Sequence, residues 1–143
     1  MKNLQRAGLN ERGFSLIEIM IVMIIIGLLA SLVGPKLFGH LGKARQKTAK
    51  AQIEMLMASL DAYRLDVGSY PSQQEGLEAL VRNPGHDEWS GPYLAKGSVP
   101  EDPWKRPYIY QNPGQHGEVD LYSLGNDNKP GGSGEDADVN SWE

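Results

Sequence analysis

The most chemically suggestive stretch of this sequence is an acidic, glycine-rich segment near its C-terminus, residues 124–140. Its four carboxylates are Asp127, Glu135, Asp136 and Asp138. Carboxylates supply charge and a flexible backbone supplies carbonyl oxygens, a ligand set that suits Ca²⁺ better than Mg²⁺. The segment is not an EF-hand, because Gly131 and Glu135 are out of place for that pattern. Judged on composition alone, a disordered polar tail is an equally good interpretation.

A second chemically notable residue is Glu18, because it lies inside an apolar run. From Ile19 to Val33 there is no charged residue. With residues 14–17 the apolar block reaches about 20 residues, the length that a helix needs to cross a bilayer core. A carboxylate in lipid costs several kcal/mol unless it finds a partner. We therefore expect Glu18 to be protonated or held near the interface in a monomer, and paired in an assembled state.

Other kinds of reactive site find little support in the sequence. There is no cysteine, which excludes disulfides and thiolate metal sites. The histidines, His40, His86 and His116, lie in unrelated contexts without metal-ligand spacing, and no nucleotide-binding or serine-hydrolase motif is present. The net charge of −4 argues against nucleic acid as a partner. We therefore predict that the chain is not an enzyme and does not bind nucleic acid.

Charges are unevenly distributed along the chain. Residues 36–50 carry five basic residues and no acidic one, whereas residues 118–143 carry seven acidic residues and one base, Lys129. This asymmetry predicts head-to-tail contacts between copies or an acidic cation site. Two solvated faces are an equally good explanation, because exposed ion pairs contribute little to stability.

Glu18 and the apolar run belong to a predicted long helix. Apolar residues recur further on at spacings of three and four, as in one stripe of an amphipathic helix. They are Ile53, Leu56, Leu60, Tyr63 and Val67. We predict one helix from Phe14 to about Val67, with a kink or a locally melted stretch at Pro35. The second half of this helix would lie on a small domain.

Two short segments are predicted after the long helix. Ser72 and Glu75 form an S-x-x-E capping box, which predicts a second helix over residues 73–81. In the loop that follows, Trp89 and Tyr93 are interpreted as packing residues rather than a binding patch. Both segments would contribute to the core of the small domain.

A β-hairpin is predicted just ahead of the acidic segment. Residues 108–110 and 118–124 alternate polar and apolar side chains on either side of a loop. The domain after the apolar run is small and lacks disulfides, so we expect a metal ion or oligomerisation to stabilise it. The second arm of the hairpin leads directly into the acidic segment.

The start of the chain resembles a known family. Residues 1–13 form a short basic leader that ends in glycine, and Phe14-Ser15-Leu16-Ile17-Glu18 follows. Such a leader ahead of an apolar helix is similar to the class III signal of type IV pilins and type II secretion pseudopilins. The resemblance implies that a prepilin peptidase cuts between Gly13 and Phe14 and N-methylates Phe14. It also implies a single-pass anchor in the bacterial inner membrane with the C-terminal head in the periplasm, an orientation that the positive-inside rule alone does not predict.

The resemblance also implies how copies of the chain assemble. Cleavage would create an α-amine on Phe14, and the carboxylate of Glu18 could meet that amine on a neighbouring copy in a helical homopolymer. A paired charge in a dry core is preferred to two unpaired ones, so Glu18 would select the register between neighbours. The further partners implied are minor pseudopilins and inner-membrane assembly proteins of the secretion system.

The C-terminal half is similar to type II secretion pseudopilins rather than to pilins in general. The matching stretches are YPSQQEGLEAL at residues 70–80, the pattern Asp-Pro-Trp-x-x-Pro-Tyr at residues 102–108, and DLYSLG at residues 120–125. Lys105 departs from the family pattern, which commonly has Gly there, and Lys tolerates positive φ poorly.

The resemblance implies one structural Ca²⁺ in the acidic segment. The implied side-chain ligands are Asp127 and Asp136 or Asp138, the implied carbonyls are those of Leu124 and Val139, and Ser133 is a further candidate. The metal would fasten this segment to the hairpin in a domain that has no disulfide.

Together these features predict an α+β fold, with a long pilin-like N-terminal helix packed on a head that contains a small antiparallel β-hairpin or sheet and a C-terminal metal-binding loop. The predicted divisions are a cleaved leader at 1–13, a transmembrane and fibre-core helix at 14–34, and a periplasmic head at 35–143. The predicted function is that of a structural subunit of the type II secretion pseudopilus, which drives export of folded proteins across the outer membrane. The alternative is a calcium-binding, membrane-anchored minor pilin or adhesin-like binding module.

Overall fold

The longest element of the protein is a helix near its N-terminus, in a computed structural model that describes residues 12–143. This helix, α1, runs from Leu16 to Val67 and has 52 residues. At its start, the hydroxyl oxygen of Ser15 accepts a hydrogen bond from the Glu18 N–H at 3.2 Å, and the Glu18 carboxylate accepts one from the Ser15 N–H at 3.1 Å. The two residues thus form a capping box that satisfies two backbone donors. Residues 1–11 of the predicted leader lie outside the described residues.

Helix α1 continues through Pro35 without a break. Proline removes only one donor from the helical hydrogen-bond ladder, and the residues on both sides of it stay helical. The predicted continuation is therefore confirmed. Local melting at Pro35, one of the two outcomes that we predicted, is wrong for this structure, whereas a kink there stays a prediction.

The chain divides into two units after Phe38. In the first unit the apolar side chains of α1 are exposed, for example Ile24 at 60% and Leu32 at 71%. Among the residues from 12 onward, α1 is the one helix whose length and composition suffice to cross a membrane, and none of its most apolar window is buried. The predicted division at residues 34 and 35 stays a prediction.

The second unit, residues 39–143, contains the hydrophobic core. One face of α1 contributes Ile53, Leu56, Leu60 and Tyr63, all fully buried, as predicted. Val67, the last residue of the predicted stripe, is only partly buried and packs against this core. The side chains that join them in the core cluster are Ala49, Leu77, Ala79, Leu80, Leu94, Tyr108, Tyr110, Val119, Leu121 and Val139. A residue away from this face, Leu65, is 86% exposed.

A three-stranded antiparallel sheet carries the C-terminal loops. Its strands are β1 (Ile109–Gln111), β2 (Asp120–Ser123) and β3 (Val139–Asn140), in the order β1-β2-β3. The predicted hairpin is confirmed as β1 and β2, in which Tyr110 lies opposite Leu121. Strand β3, which pairs Val139 with Ser123, was not predicted. Two residues are too few to show a strand period in the sequence.

The predicted second helix over residues 73–81 is wrong in type and extent. The structure has a 3₁₀ helix, Gly76–Leu80. Gly76 has a φ of +59°, far from the α-helical value of about −63°, so an α-helix does not run through this position. The predicted pair does form: the Ser72 N–H donates to the Glu75 carboxylate at 2.8 Å, and the Glu75 N–H donates to the Ser72 hydroxyl at 3.2 Å. It closes the turn before the 3₁₀ helix.

Trp89 and Tyr93 pack against the core, as predicted. Their rings meet edge to face with centroids 5.7 Å apart. The indole N–H of Trp89 donates to the carbonyl oxygen of Ala79 at 2.7 Å. These contacts confirm that the two aromatic residues have a structural role.

Candidate functional site

The acidic loop, residues 124–138, begins directly after β2 and is held at its start by Arg106. The Arg106 guanidinium donates to the carbonyl oxygens of Gly125 and Asn126, the latter at 3.1 Å. Gly125 has a φ of +68°, and a Cβ there would stand 2.6 Å from the carbonyl oxygen of Ala137. Only glycine therefore allows the two ends of the loop to approach each other at this point.

The second half of the acidic loop folds back on the first half. The Asn126 N–H donates to the carbonyl oxygen of Glu135 at 3.0 Å, and the Asn126 side-chain amide donates to Asp136 Oδ1 at 3.1 Å. A 3₁₀ turn, Gly134–Asp136, follows Ser133 and leads towards β3. The loop thus has a defined structure, contrary to the alternative of a disordered tail.

The predicted metal ligands lie around this folded loop. Asp127 Oδ1 accepts a hydrogen bond from the Lys129 N–H at 3.0 Å. Asp138 Oδ2 accepts one from the Gly131 N–H at 2.9 Å. Val139 begins β3 and lies opposite Ser123, the residue before Leu124. Ser133 precedes the 3₁₀ turn and its side chain does not cap it.

Asp138 supplies the observation that fits a cation. Its Oδ1 atom is buried and has no hydrogen-bond partner among residues 12–143. A buried, unsatisfied carboxylate oxygen costs stability, and a Ca²⁺ ion bound there would remove that cost. Within the described part of the chain no three His, Cys, Asp or Glu side chains lie close enough to hold a metal by themselves. A site here would rely on carbonyl oxygens as well as carboxylates, which is usual for calcium.

Glu135, the remaining carboxylate of the loop, is bound by α1. Arg45 Nη1 donates to Glu135 Oε1 at 2.7 Å, and the Trp104 indole N–H lies 3.4 Å from the same oxygen. The hydrogen bond from Arg45 lowers the pKa of Glu135 and outweighs the opposing effect of partial burial. Gly42 makes room for this side chain, since a Cβ at Gly42 would stand 3.2 Å from Glu135 Oε2. The Glu135 side chain therefore attaches the acidic loop to α1.

The basic stretch of α1, residues 36–50, thus contacts the acidic stretch, residues 118–143, within one chain. Besides the ion pair of Arg45, the Lys50 ammonium donates to the carbonyl oxygens of Asn140, at 2.9 Å, and Glu143. This intramolecular contact was not predicted from the sequence. No local pattern could have revealed it, because Arg45 and Glu135 are 90 residues apart.

A buried carboxylate orders the turn that contains Lys105. Asp102 is 3% exposed, and its Oδ1 accepts from the Trp104 and Arg106 N–H groups at 3.0 and 2.9 Å. Its Oδ2 accepts from the Ser123 hydroxyl at 2.7 Å. Lys105 lies inside this turn with a φ of +65°. Lys at this position therefore adopts the left-handed conformation that favours glycine.

Asp120 orders the loop between β1 and β2. It is 1% exposed and accepts hydrogen bonds from the N–H groups of Gln115, His116 and Gly117 and from the His116 ring, 3.0 Å away. Burial acts to raise the pKa of Asp120. The hydrogen bonds from His116 and Gln115 lower it by more than burial raises it, so the pKa of Asp120 lies below the ordinary value. The Trp142 ring stacks on His116 with centroids 3.9 Å apart.

The predicted processing and assembly residues lie in the first unit. Phe14 is 84% exposed, and Gly13 precedes it outside any helix or strand. Phe14 and Glu18 line a shallow groove whose other residues are apolar, Ile19, Ile21, Val22, Met23 and Ile26. The Glu18 carboxylate is thus set in an exposed apolar surface, with a hydrogen bond only from its own helix turn among the contacts described.

Comparison with known families decides the identity. The family described as "Type II secretion system (T2SS), protein G" matches residues 36–142, and the "Prokaryotic N-terminal methylation motif" matches residues 8–34. The chain belongs to the type II secretion system protein G family. The resemblance inferred from the sequence is confirmed, and the methylation motif spans Gly13, Phe14 and Glu18.

Relatives and a solved structure agree with protein G membership. The type II secretion system core protein G of Pseudomonas aeruginosa is 48% identical over 139 residues, which cover 94% of this chain and 96% of that protein. The same protein of Vibrio cholerae is 42% identical, with coverage of 93% and 92%. The crystal structure of the major pseudopilin of enterohaemorrhagic Escherichia coli matches with a TM-score of 0.62 and 32% identity, over 74% of this chain and 89% of that one. The predicted α+β fold is confirmed, whereas metal binding by the loop stays a prediction.

Proposed function

We propose that this chain, a pseudopilus subunit of a type II secretion system, polymerises through its apolar N-terminal segment. The exposure of that segment carries the proposal. Each large apolar side chain from Phe14 to Phe38 is at least 49% exposed. A continuous apolar surface of this kind must be covered by lipid or by protein. Copies of the same segment would cover it in a fibre.

The segment would occupy two environments in turn. It would first span the inner membrane, with residues 39–143 in the periplasm, and would then form the core of a periplasmic fibre. The methylation motif at residues 8–34 supports processing by a prepilin peptidase between Gly13 and Phe14. Growth of the fibre, together with minor pseudopilins and inner-membrane assembly proteins, would drive folded proteins through the outer membrane. We assign the chain a structural role without catalysis, as a subunit of the fibre.

Glu18 would change partners during this sequence. In the uncut chain its carboxylate bonds the Ser15 N–H, a contact that reduces the cost of a carboxylate in an apolar setting. Cleavage would create an α-amine on Phe14. In the fibre the Glu18 carboxylate would pair with the Phe14 amine of a neighbouring copy, because two opposite charges in a dry environment are strongly preferred as a pair.

Two substitutions at Glu18 distinguish the effect of its capping hydrogen bonds from the effect of its charge. Gln at this position keeps the S-x-x-Q capping box, so Glu18→Gln removes only the charge, whereas Glu18→Ala removes both. We expect Glu18→Gln to be inserted, cleaved and methylated on Phe14, as shown by mass spectrometry. Its sheared fibre mass and its secretion activity should fall by roughly tenfold or more, because a buried ion pair is broken.

Glu54→Gln is the matched control, since Glu54 is an exposed carboxylate on the same helix. It should assemble like the wild type. Wild-type fibre mass in Glu18→Gln would contradict the ion pair. A wild-type chain that retains residues before Phe14 would contradict the proposed processing.

We also propose that the acidic loop binds one Ca²⁺. The support is the buried, unsatisfied Oδ1 of Asp138 together with the ordered loop around it. The residues that would hold the ion are Asp127, Asp136 or Asp138, the carbonyl groups of Leu124 and Val139, and Ser133. The ion would neutralise the clustered carboxylates and tie the loop to β2 and β3.

A further inference from the structure

We infer that α1 positions the calcium ligands through a helix clamp, the contacts that Arg45 and Gln46 make with residues 135–137, and that calcium binding in turn stabilises this stretch of α1. The inference rests on the proposed calcium site. It assigns Gln46, an uncharged residue far from the acidic loop in sequence, a role in calcium affinity.

Gln46 is the centre of the clamp. Its side-chain amide nitrogen donates to the carbonyl oxygens of Glu135, at 3.2 Å, and Ala137, at 2.9 Å. These two carbonyl groups lie on either side of Asp136, and Ala137 directly precedes Asp138. A single half-buried amide therefore fixes the backbone that carries both candidate carboxylates.

Arg45 completes the clamp from the preceding position on α1. Its guanidinium holds the Glu135 carboxylate at 2.7 Å. The Asp136 and Asp138 carboxylates instead bond Asn126 and Gly131, in the first half of the loop. The helix therefore holds the Glu135 carboxylate and the carbonyl oxygens of residues 135 and 137, while the carboxylates of residues 136 and 138 bond to the loop in which calcium is proposed to bind.

Because the clamp holds the backbone on either side of the candidate ligands, it should affect the affinity of the site for calcium. The apparent dissociation constant of a site is its intrinsic value divided by the fraction of molecules in the competent conformation. The clamp raises that fraction by restricting residues 135–137. Because coupling between two equilibria is reciprocal, bound calcium must also favour docking of the loop on residues 42–50 of α1.

The test uses the full-length processed chain in detergent micelles, with Ca²⁺ alone as the probe. Gln46→Met keeps the length of the side chain and removes its donors. The control is Thr48→Ala, because the exposed Thr48 hydroxyl donates only to Ala44 of its own helix among its described contacts, at 3.0 Å. By isothermal titration calorimetry, the dissociation constant should rise roughly tenfold in Gln46→Met and stay unchanged in the control.

Hydrogen exchange supplies a second measurement, independent of affinity. In the wild type, Ca²⁺ should slow exchange of the amides of residues 43–50, and this slowing should be smaller in Gln46→Met. Equal dissociation constants and equal protection in wild type and variant would overturn the clamp and leave the calcium site standing. A wild-type chain that binds no Ca²⁺ would overturn both. If circular dichroism shows that Gln46→Met does not fold, Arg45→Met applies the same test at a side chain that is 40% exposed.

Discussion

Lys105 is an exposed residue in a backbone conformation that disfavours side chains, with a φ of +65°. A left-handed conformation costs a residue with a Cβ about 1–2 kcal/mol. Glycine avoids this cost, although it loses more entropy on folding. We predict that Lys105→Gly raises the free energy of unfolding by about 0.5–1 kcal/mol, measured by chemical denaturation of the full-length protein in detergent. Lys96→Gly, at an exposed loop residue outside the left-handed region, should bring no gain, and an equal gain at both sites would contradict the argument.

Asp120 makes stability depend on acid pH. Its pKa in the folded protein lies below the ordinary value, so the unfolded chain binds its proton first as pH falls. Its contribution is therefore complete above about pH 4 and is lost as pH falls through the folded pKa. We predict a smaller loss of unfolding free energy between neutral pH and about pH 2 in Asp120→Asn than in the wild type.

The comparison for Asp120 is Asp87→Asn, which removes an exposed carboxylate. This variant should keep the wild-type acid dependence, as followed by denaturation at a series of pH values. Part of that dependence will persist in Asp120→Asn, because the hydrogen bond from the Ser72 N–H also lowers the pKa of Glu75. Identical curves for Asp120→Asn and the wild type would show that Asp120 does not govern acid stability.

At the level of elements, α1 contains one leucine in the core and one exposed to solvent. Leu56 is fully buried in the core and Leu65 is 86% exposed. Leu56→Ala should lower the free energy of unfolding by about 2–5 kcal/mol, since it leaves a cavity. Leu65→Ala should change it by less than about 0.5 kcal/mol. Denaturation of the two variants side by side measures the difference, and similar losses would mean that the head does not pack on the predicted face of α1.

Elements that depend on local periodicity could be predicted from the sequence. The stripe that includes Leu56 repeats at helical spacing, and the hairpin arms alternate, so each pattern carries its own evidence. Strand β3 could not be predicted, because its two residues are defined only by pairing with β2. The 3₁₀ helix at Gly76–Leu80 was mistaken for an α-helix because the positive φ of Gly76 has no signature in the apolar pattern.

In the candidate site, too, only the features with a local sequence pattern could be predicted. The carboxylates of the acidic loop stand out by composition, and their assignment as candidate calcium ligands follows from the family resemblance. The capping box of Ser15 and Glu18 was not predicted, although the two residues stand in an S-x-x-E pattern. Neither the buried Oδ1 of Asp138 nor the contact of Gln46 with residues 135 and 137 could be predicted. Both depend on tertiary packing of segments that are far apart in the chain.

For the whole molecule, calcium should act as the stabiliser that a small head without disulfides needs. A ligand at 100 times its dissociation constant stabilises by about 2.7 kcal/mol. For a chain of this size that corresponds to roughly 5–10 °C in Tm. We therefore predict that a calcium chelator lowers the Tm of the full-length protein by this amount and increases protease cleavage of residues 124–138.

The specificity of the calcium effect can be checked by metal replacement. Calcium should restore the Tm after chelation, whereas Mg²⁺ should not, because Mg²⁺ demands a stricter geometry and gives up its water reluctantly. An unchanged Tm after chelation of a calcium-saturated sample would contradict the structural role of the ion.

The contacts between α1 and the C-terminal segment can form only after that segment has been synthesised. Arg45 and Lys50 find their partners 90 or more residues later in the chain. At 5–20 residues per second, a ribosome needs roughly 5–20 s to produce that length of chain. During that interval Arg45 and Lys50 lack these tertiary partners, so this part of the fold can form only after residues 135–143 have been made.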